Sequence, residues 1–204
     1  MVRKNIKNLH LAVYPPDGAV RISVPQRVDD ELVRLAVVSR LGWIRRKREA
    51  FREQLRQSRR DMVSGESHFV QGRRYRLRVV EADGRPGVRI ANADTLELRI
   101  RPATSREKRE ALLDDWHRQR LREQIPALIA KWEPVIGVEV AEWGIRKMKT
   151  RWGSCNVDAG RIWVNLELAK KPPECLEYLV VHEMVHLLER RHNDQFKAYM
   201  DRFM

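Results

Sequence analysis

The run His182-Glu183-Met184-Val185-His186 sets two imidazoles four residues apart, with a carboxylate directly after the first. On a helix, residues i and i+4 share a face, so both rings can reach one divalent cation at about 2.0–2.1 Å. A carboxylate that follows the first ligand stands beside the metal, where it can take a proton from bound water. His192 lies beyond the expected end of that helix, where the chain can turn back and offer a third nitrogen. Three protein ligands with one open position is the pattern of catalytic zinc, whereas structural sites close with four ligands, often cysteines. The expectation is one Zn²⁺ per chain on His182, His186 and His192, with Glu183 as catalytic general base.

Neighbouring residues extend this set. The spacing matches the metzincin string, except that Glu189 stands where that string carries glycine. Glu189 is thus a rival ligand, a partner that holds an imidazole tautomer, or a solvated carboxylate beside Arg190 and Arg191. Tyr178, one turn before His182, is either a core tyrosine or a donor to a developing oxyanion. Arg151 and Trp152 lie in a stretch that either borders the substrate cleft or packs the sheet, with Trp163, on the helices. Cys155 and Cys175 lack metal-ligand spacing and read as buried inert thiols. His10, His68 and His117 have no partner spacing.

The histidines need a helix, and Pro172-Pro173-Glu174 begins one, because proline fits the first turn. It runs from Cys175 to about Arg190, buried by Leu179-Val180-Val181 and Leu187-Leu188, and Asn193-Asp194 can cap a last helix. Upstream, residues 138–143, 147–155 and 161–165 read as a small meander. Thr104-Ser105-Arg106-Glu107 is a capping box for a charged helix to about Trp132. Residues 9–14 and 19–24 flank the turn Pro15-Pro16-Asp17-Gly18, and residues 69–70, 75–80, 88–90 and 96–100 are further strands between Gly- and Pro-containing turns. The alternation Tyr75-Arg76-Leu77-Arg78-Val79 suits an antiparallel sheet with one wet face. Between these strand groups a helix opens at Asp29-Asp30 and continues through Gly42 into a basic tract.

Composition narrows the partners. Lys+Arg 41 against Asp+Glu 28 in 204 residues gives +13, with a pI near 10.3, so anionic partners are attracted. Residues 40–60 hold nine Lys/Arg against two Glu, including Arg45, Arg46, Arg48 and Arg52. That tract is either a solvated helix face or an anion-binding surface giving weak nucleic-acid or nucleotide binding. Hydrophobic residues at 43% suffice for a core, so the charge does not signal disorder. No apolar run exceeds four residues, which excludes a membrane-spanning helix. The basic start lacks an apolar stretch behind it, so it is no secretory signal, and two cysteines build no disulfide framework. A cytoplasmic protein is expected.

The chain resembles the YgjP-like metallopeptidases, relatives of the SprT-like zinc proteases. The resemblance rests on Lys147-Met148-Lys149-Thr150-Arg151-Trp152-Gly153-Ser154-Cys155, on Ile162-Trp163-Val164-Asn165, and on the run from Tyr178 to His186 with His192-Asn193. Looser similarity covers Tyr14-Pro15-Pro16-Asp17-Gly18 and Leu41-Gly42-Trp43-Ile44. The resemblance implies His182, His186 and His192 as zinc ligands and Glu183 as base. Members of that family usually continue a little further past the last helix.

The expected class is α+β. Residues 1–103 form an N-terminal antiparallel β region with a basic helix, and residues 104–204 a zincin-like core with a small sheet packed on the HExxH helix. The expected function is zinc-dependent hydrolysis of peptide bonds in a peptide or protein substrate. Two alternatives stand beside it: hydrolysis of a nucleotide phosphoanhydride, and non-catalytic nucleic-acid binding by a zinc-stabilised domain.

Overall fold

Period-two alternation makes the strands and period 3.6 the helices of a mixed α+β chain, in two units, Met1–Arg59 and Arg60–Met204. The computed structural model describes residues 1–14, 18–53 and 60–204, without the side chains of residues 51–53. Pro15, Pro16 and Asp17 of the first turn, the Arg52 side chain and residues 54–59 of the basic tract lie outside the described residues.

In the first unit, β1 (Val2–Lys4), β2 (His10–Tyr14) and β3 (Ala19–Pro25) form a sheet in the order β1-β3-β2. β2 pairs antiparallel with β3, whereas β1 runs parallel to it. Two helices follow, α1 (Asp30–Val38) and α2 (Leu41–Glu53), in place of the continuous one expected. The break comes at Ser39, whose hydroxyl donates to the Ala36 carbonyl (3.1 Å), and at Arg40, whose N–H bonds three residues back to Val37 (3.0 Å). A hydroxyl that bonds the backbone competes with helix continuation. Val24, Val33 and Ile44 are buried here.

The second unit begins with β4 (Ser67–Val70), β5 (Arg73–Glu81), β6 (Gly87–Ile90) and β7 (Thr95–Ile100), in the order β4-β5-β7-β6. Gln71 and Gly72, both at positive φ, turn the β4–β5 hairpin. Their N–H groups donate to the carbonyls of Ala169 (2.9 Å) and Lys170 (3.1 Å), tying this sheet to the later half of the unit. The sheet is mixed rather than antiparallel, because β5 and β7 run parallel with Leu77 opposite Leu96. Alternation reveals which face of a strand is wet, not the direction of its neighbour. Tyr75, Leu77, Leu96, Leu98 and Ile100 form the inner face, packed on Leu113, with Leu112 and Trp116 alongside.

Those last residues belong to α3 (Arg106–Ile136), capped by the Ser105 hydroxyl and ended by Gly137 in the left-handed region. It continues past Trp132 with Pro126 and Pro134 inside it. Its buried face repeats every fourth residue, Leu113, His117, Leu121, Ile125, Ile129, and joins the first apolar cluster to a second. The change of character near residue 103 therefore falls inside the second unit, where β7 leads into α3.

β8 (Glu142–Arg146), β9 (Gly153–Asn156) and β10 (Arg161–Asn165) follow, in the order β8-β10-β9. The expected meander is absent among them: β10 is antiparallel to β9 but parallel to β8. Ile162 and Val164, both fully buried, put β10 in the centre and leave β9 at the edge. A 3₁₀ turn (Leu166–Lys170), α4 (Pro173–Val185) and α5 (Asp194–Phe203) complete the fold. Leu166, Leu176, Val180, Met184 and Phe196 pack the second cluster under β10.

Candidate metal centre

α4 opens with Pro173 in its first turn and buries Leu176, Val180 and Val181, which fixes the opposite face toward an open cavity. It ends at Val185, yet His186 keeps helical backbone angles (φ −63°, ψ −20°), so it still shares a face with His182. The chain then tightens, with Leu187 N–H bonding Met184 and Leu188 N–H bonding Val185 (both 2.9 Å). Asn193 caps α5 by accepting from Phe196 N–H (3.0 Å), which places His192 just before that helix.

The three imidazoles converge. Nε2 of His182 and Nε2 of His192 are 3.0 Å apart, and one nitrogen from each ring lies within 4.8 Å of the others. Tetrahedral donors about 2.1 Å from a zinc ion would be about 3.4 Å apart, so this donor set fits such a cation. The buried ring of Phe196 floors the cluster, with centroids 4.9, 4.6 and 4.7 Å from those of His182, His186 and His192. Nδ1 of His186 faces the carbonyl oxygen of Glu189 at 3.1 Å. A carbonyl only accepts, so Nδ1 carries the proton and Nε2 keeps its lone pair for a cation. Burial, reinforced by the other two rings, pushes the His182 pKa down to about 4, and burial also lowers that of His186. Neutral imidazoles are the form that ligates a metal.

Glu183 is 4% exposed, and its Oε2 has no hydrogen-bond partner among the described residues. Burial raises its pKa to about 7, against the opposing charge of Arg151. Its carboxylate lies directly against Gly153, the first residue of the edge strand β9. The cavity above measures about 1010 Å³ and is lined by residues 151–158 on one side and by α4 on the other. Asn165, buried at the end of β10, holds the connection into β9. Its Nδ2 donates to the carbonyls of Met148 (2.9 Å) and Arg151 (2.7 Å), and its Oδ1 accepts from Met148 N–H (3.2 Å).

The other residues singled out in the sequence divide. Tyr178 is 49% exposed on the cavity rather than in the core, because it shares the cavity face of α4 with His182. Trp152 is also 49% exposed and lines the cavity beside Arg151, with Lys171 Nζ 5.6 Å from its ring centroid. Trp163 is half-buried under the Arg146 guanidinium, 3.5 Å from the ring centroid. Glu189 reaches the cluster through its backbone carbonyl, while its carboxylate accepts from Arg191 N–H (3.0 Å). Cys155 lines the cavity half-buried, its thiol pushed up to about 11 by burial and by Glu183. Cys175 is exposed, in the first turn of α4, and not a buried thiol. Arg45, Arg46 and Arg48 are exposed on α2. Sequence reasoning passed over Gly153 and Phe196 as site residues. The Phe196 position, three residues after an N-cap asparagine that follows His192, was its one available signal.

The family model of the YgjP-like metallopeptidase domain matches residues 7–204. Among solved structures, the crystal structure of the metallopeptidase zymogen of Pyrococcus abyssi abylysin is similar at 18% identity and a TM-score of 0.37, covering 39% of this chain and 79% of that one. No curated protein sequence matches. Among the described residues no helix is long and apolar enough to cross a membrane.

Proposed function

This chain belongs to the YgjP-like metallopeptidase family, and we propose that it is a zinc peptidase with His182, His186 and His192 as ligands and Glu183 as general base. The observation that carries the reading is the convergence of three imidazole nitrogens within 4.8 Å, next to a buried carboxylate, at an open cavity. Zinc bound there supplies Lewis-acid polarisation of a water molecule and of the scissile carbonyl. Glu183 accepts a proton from that water and returns it to the leaving amine nitrogen. The C–N bond breaks, the water oxygen stays on the carbonyl carbon, and the amine departs neutral.

The rest of the cavity suits a peptide. β9 has β10 on one side only, so an extended main chain can pair along its free edge in the manner of a zincin-like core. Trp152 and Tyr178 offer aromatic surface to side chains, and the Tyr178 hydroxyl is a donor for the carbonyl oxygen as it gains charge.

The test is hydrolysis of a fluorogenic peptide library by zinc-loaded protein, with nucleoside triphosphates as a parallel substrate class. Peptide cleavage that a zinc chelator abolishes and added Zn²⁺ restores is the expected result. Pyrophosphate release from the triphosphates with every peptide intact would contradict it.

A further inference from the structure

The face of the β4–β7 sheet turned away from α3 is lined with arginine. Register puts Arg74, Arg76 and Arg78 of β5 on that face together with Arg99 of β7 and Arg89 of β6, and Arg85 stands in the connection between β5 and β6. Among the strand residues of this sheet, the acids are Glu81 and Glu97. Glu81 points to the helix side, where Arg109 of α3 approaches it at 3.6 Å. Among those strand residues Glu97 is thus the one acid on the arginine face.

Its carboxylate, with a side chain 4% exposed, is the centre of a guanidinium cluster. It accepts from Arg78 Nη2 and from Arg89 Nε (2.8 Å) and Nη2 (3.0 Å), with Arg99 Nη2 3.8 Å away. Hydrogen bonds from Arg89 and Arg78 hold it below the usual carboxylate range, so it stays ionised. Three guanidiniums surround one negative charge, and each has five N–H donors, of which Glu97 takes one from Arg78 and two from Arg89. Like charges on neighbouring strands repel, so anchoring a fold would call for one arginine here, not three. Side chains already held by Glu97 lose less freedom when they meet a ligand. Beside them a depression of about 190 Å³ is lined by Arg85, Arg89, Glu97 and Arg99.

We propose that this face binds single-stranded nucleic acid through its phosphates. The arginine fork matches phosphate oxygens bidentately. Alternate residues along β5 are about 6.6–6.8 Å apart, comparable to successive phosphates of a nucleic-acid strand. Phe69, half-buried, sits opposite Arg74 in the β4–β5 register and offers a ring on which a base can stack. A flexible single strand can follow the twist of the sheet. The inference stands apart from the zinc site.

Fluorescence anisotropy with labelled oligo(dT) of about 20 nucleotides tests it on the full zinc-loaded chain. The exposed triple variant R74Q/R76Q/R85Q should bind at least about 10-fold more weakly. Its slope of log K against log salt should be shallower by about 2, at about 0.7 for each phosphate that no longer meets a guanidinium. R76Q alone should flatten the slope by about 0.7 and serves if the triple variant does not fold. R45Q/R46Q/R48Q on α2 should bind like the parent protein, and peptide hydrolysis should be unchanged in every variant. The proposal is overturned if the parent shows no salt-dependent binding, or if the α2 variant loses binding while the sheet variants keep it. Competition by poly-glutamate as effective as that by oligo(dT) also overturns it, since the face would then be one for acidic protein.

Discussion

A methyl group on Gly153 would place its carbon 2.5 Å from Oε1, 2.9 Å from Cδ and 3.0 Å from Cγ of Glu183. The edge strand and the histidine-bearing helix approach so closely that one must lack a side chain where the other presents its carboxylate. The requirement at Gly153 is space, not backbone freedom, because its φ lies outside the left-handed region. The Glu183 side chain is buried, and the methyl would crowd Cδ and Cγ as well as Oε1, so the whole carboxylate has to shift. G153A should therefore displace the carboxylate and leave the three imidazoles in place. A misplacement near 1 Å can cost up to about 10²-fold, so kcat on a cleaved peptide should fall at least about 10-fold with zinc content unchanged. An unaltered kcat would separate Glu183 from the chemistry or show that β9 yields freely.

Asn165 ties the 147–152 connection to the central strand through a buried amide. Replacing it by alanine leaves the carbonyls of Met148 and Arg151 and the N–H groups of Met148 and Glu167 without their partner. At about 0.5–1.5 kcal/mol net for each of the four bonds, N165A should destabilise the protein by about 2–6 kcal/mol, read by urea unfolding. Arg151 and Trp152 should also lose their fixed place at the cavity, so KM should rise more than kcat falls.

His117 predicts acid sensitivity. It is wholly buried between the two apolar clusters, and neither ring nitrogen has a hydrogen-bond partner among the described residues. Burial, with the charges of Lys170, His68 and Arg120, pushes its pKa down to about 3. In the unfolded chain it titrates near 6.5. Between those values the unfolded state binds a proton that the folded state refuses, so stability falls as pH drops from about 6.5 toward 3. H117L should remove about 2 kcal/mol of the loss seen between pH 7.5 and pH 5 in paired unfolding curves. Parallel curves for the two proteins would show that His117 takes no part.

Spacing made some of this legible and concealed the rest. The i, i+4 relation and the residues after α4 brought His182, His186 and His192 into one group, because local helix geometry decides it. Strand faces were readable from alternation, but the parallel pairs β5–β7 and β8–β10 depend on where a hairpin folds back, which no local pattern records. Sequence leaves Tyr178 and Trp152 open between packing and the cleft, because aromatics serve both, and both face the cavity. The Glu189 carboxylate drew notice from its type, yet its backbone carbonyl is what orients His186. Gly153 mattered only once β9 was known to lie against α4.

The most direct measurement is zinc content and peptide hydrolysis on the same preparation of E183Q. Glutamine keeps the size of the side chain but cannot take a proton from water. The account predicts about one zinc per chain in both E183Q and the parent protein, with kcat lower by about 10² or more in the variant. H192A should instead lose zinc together with activity. An E183Q protein that holds its zinc and cleaves peptide at the parent rate would contradict the role given to Glu183.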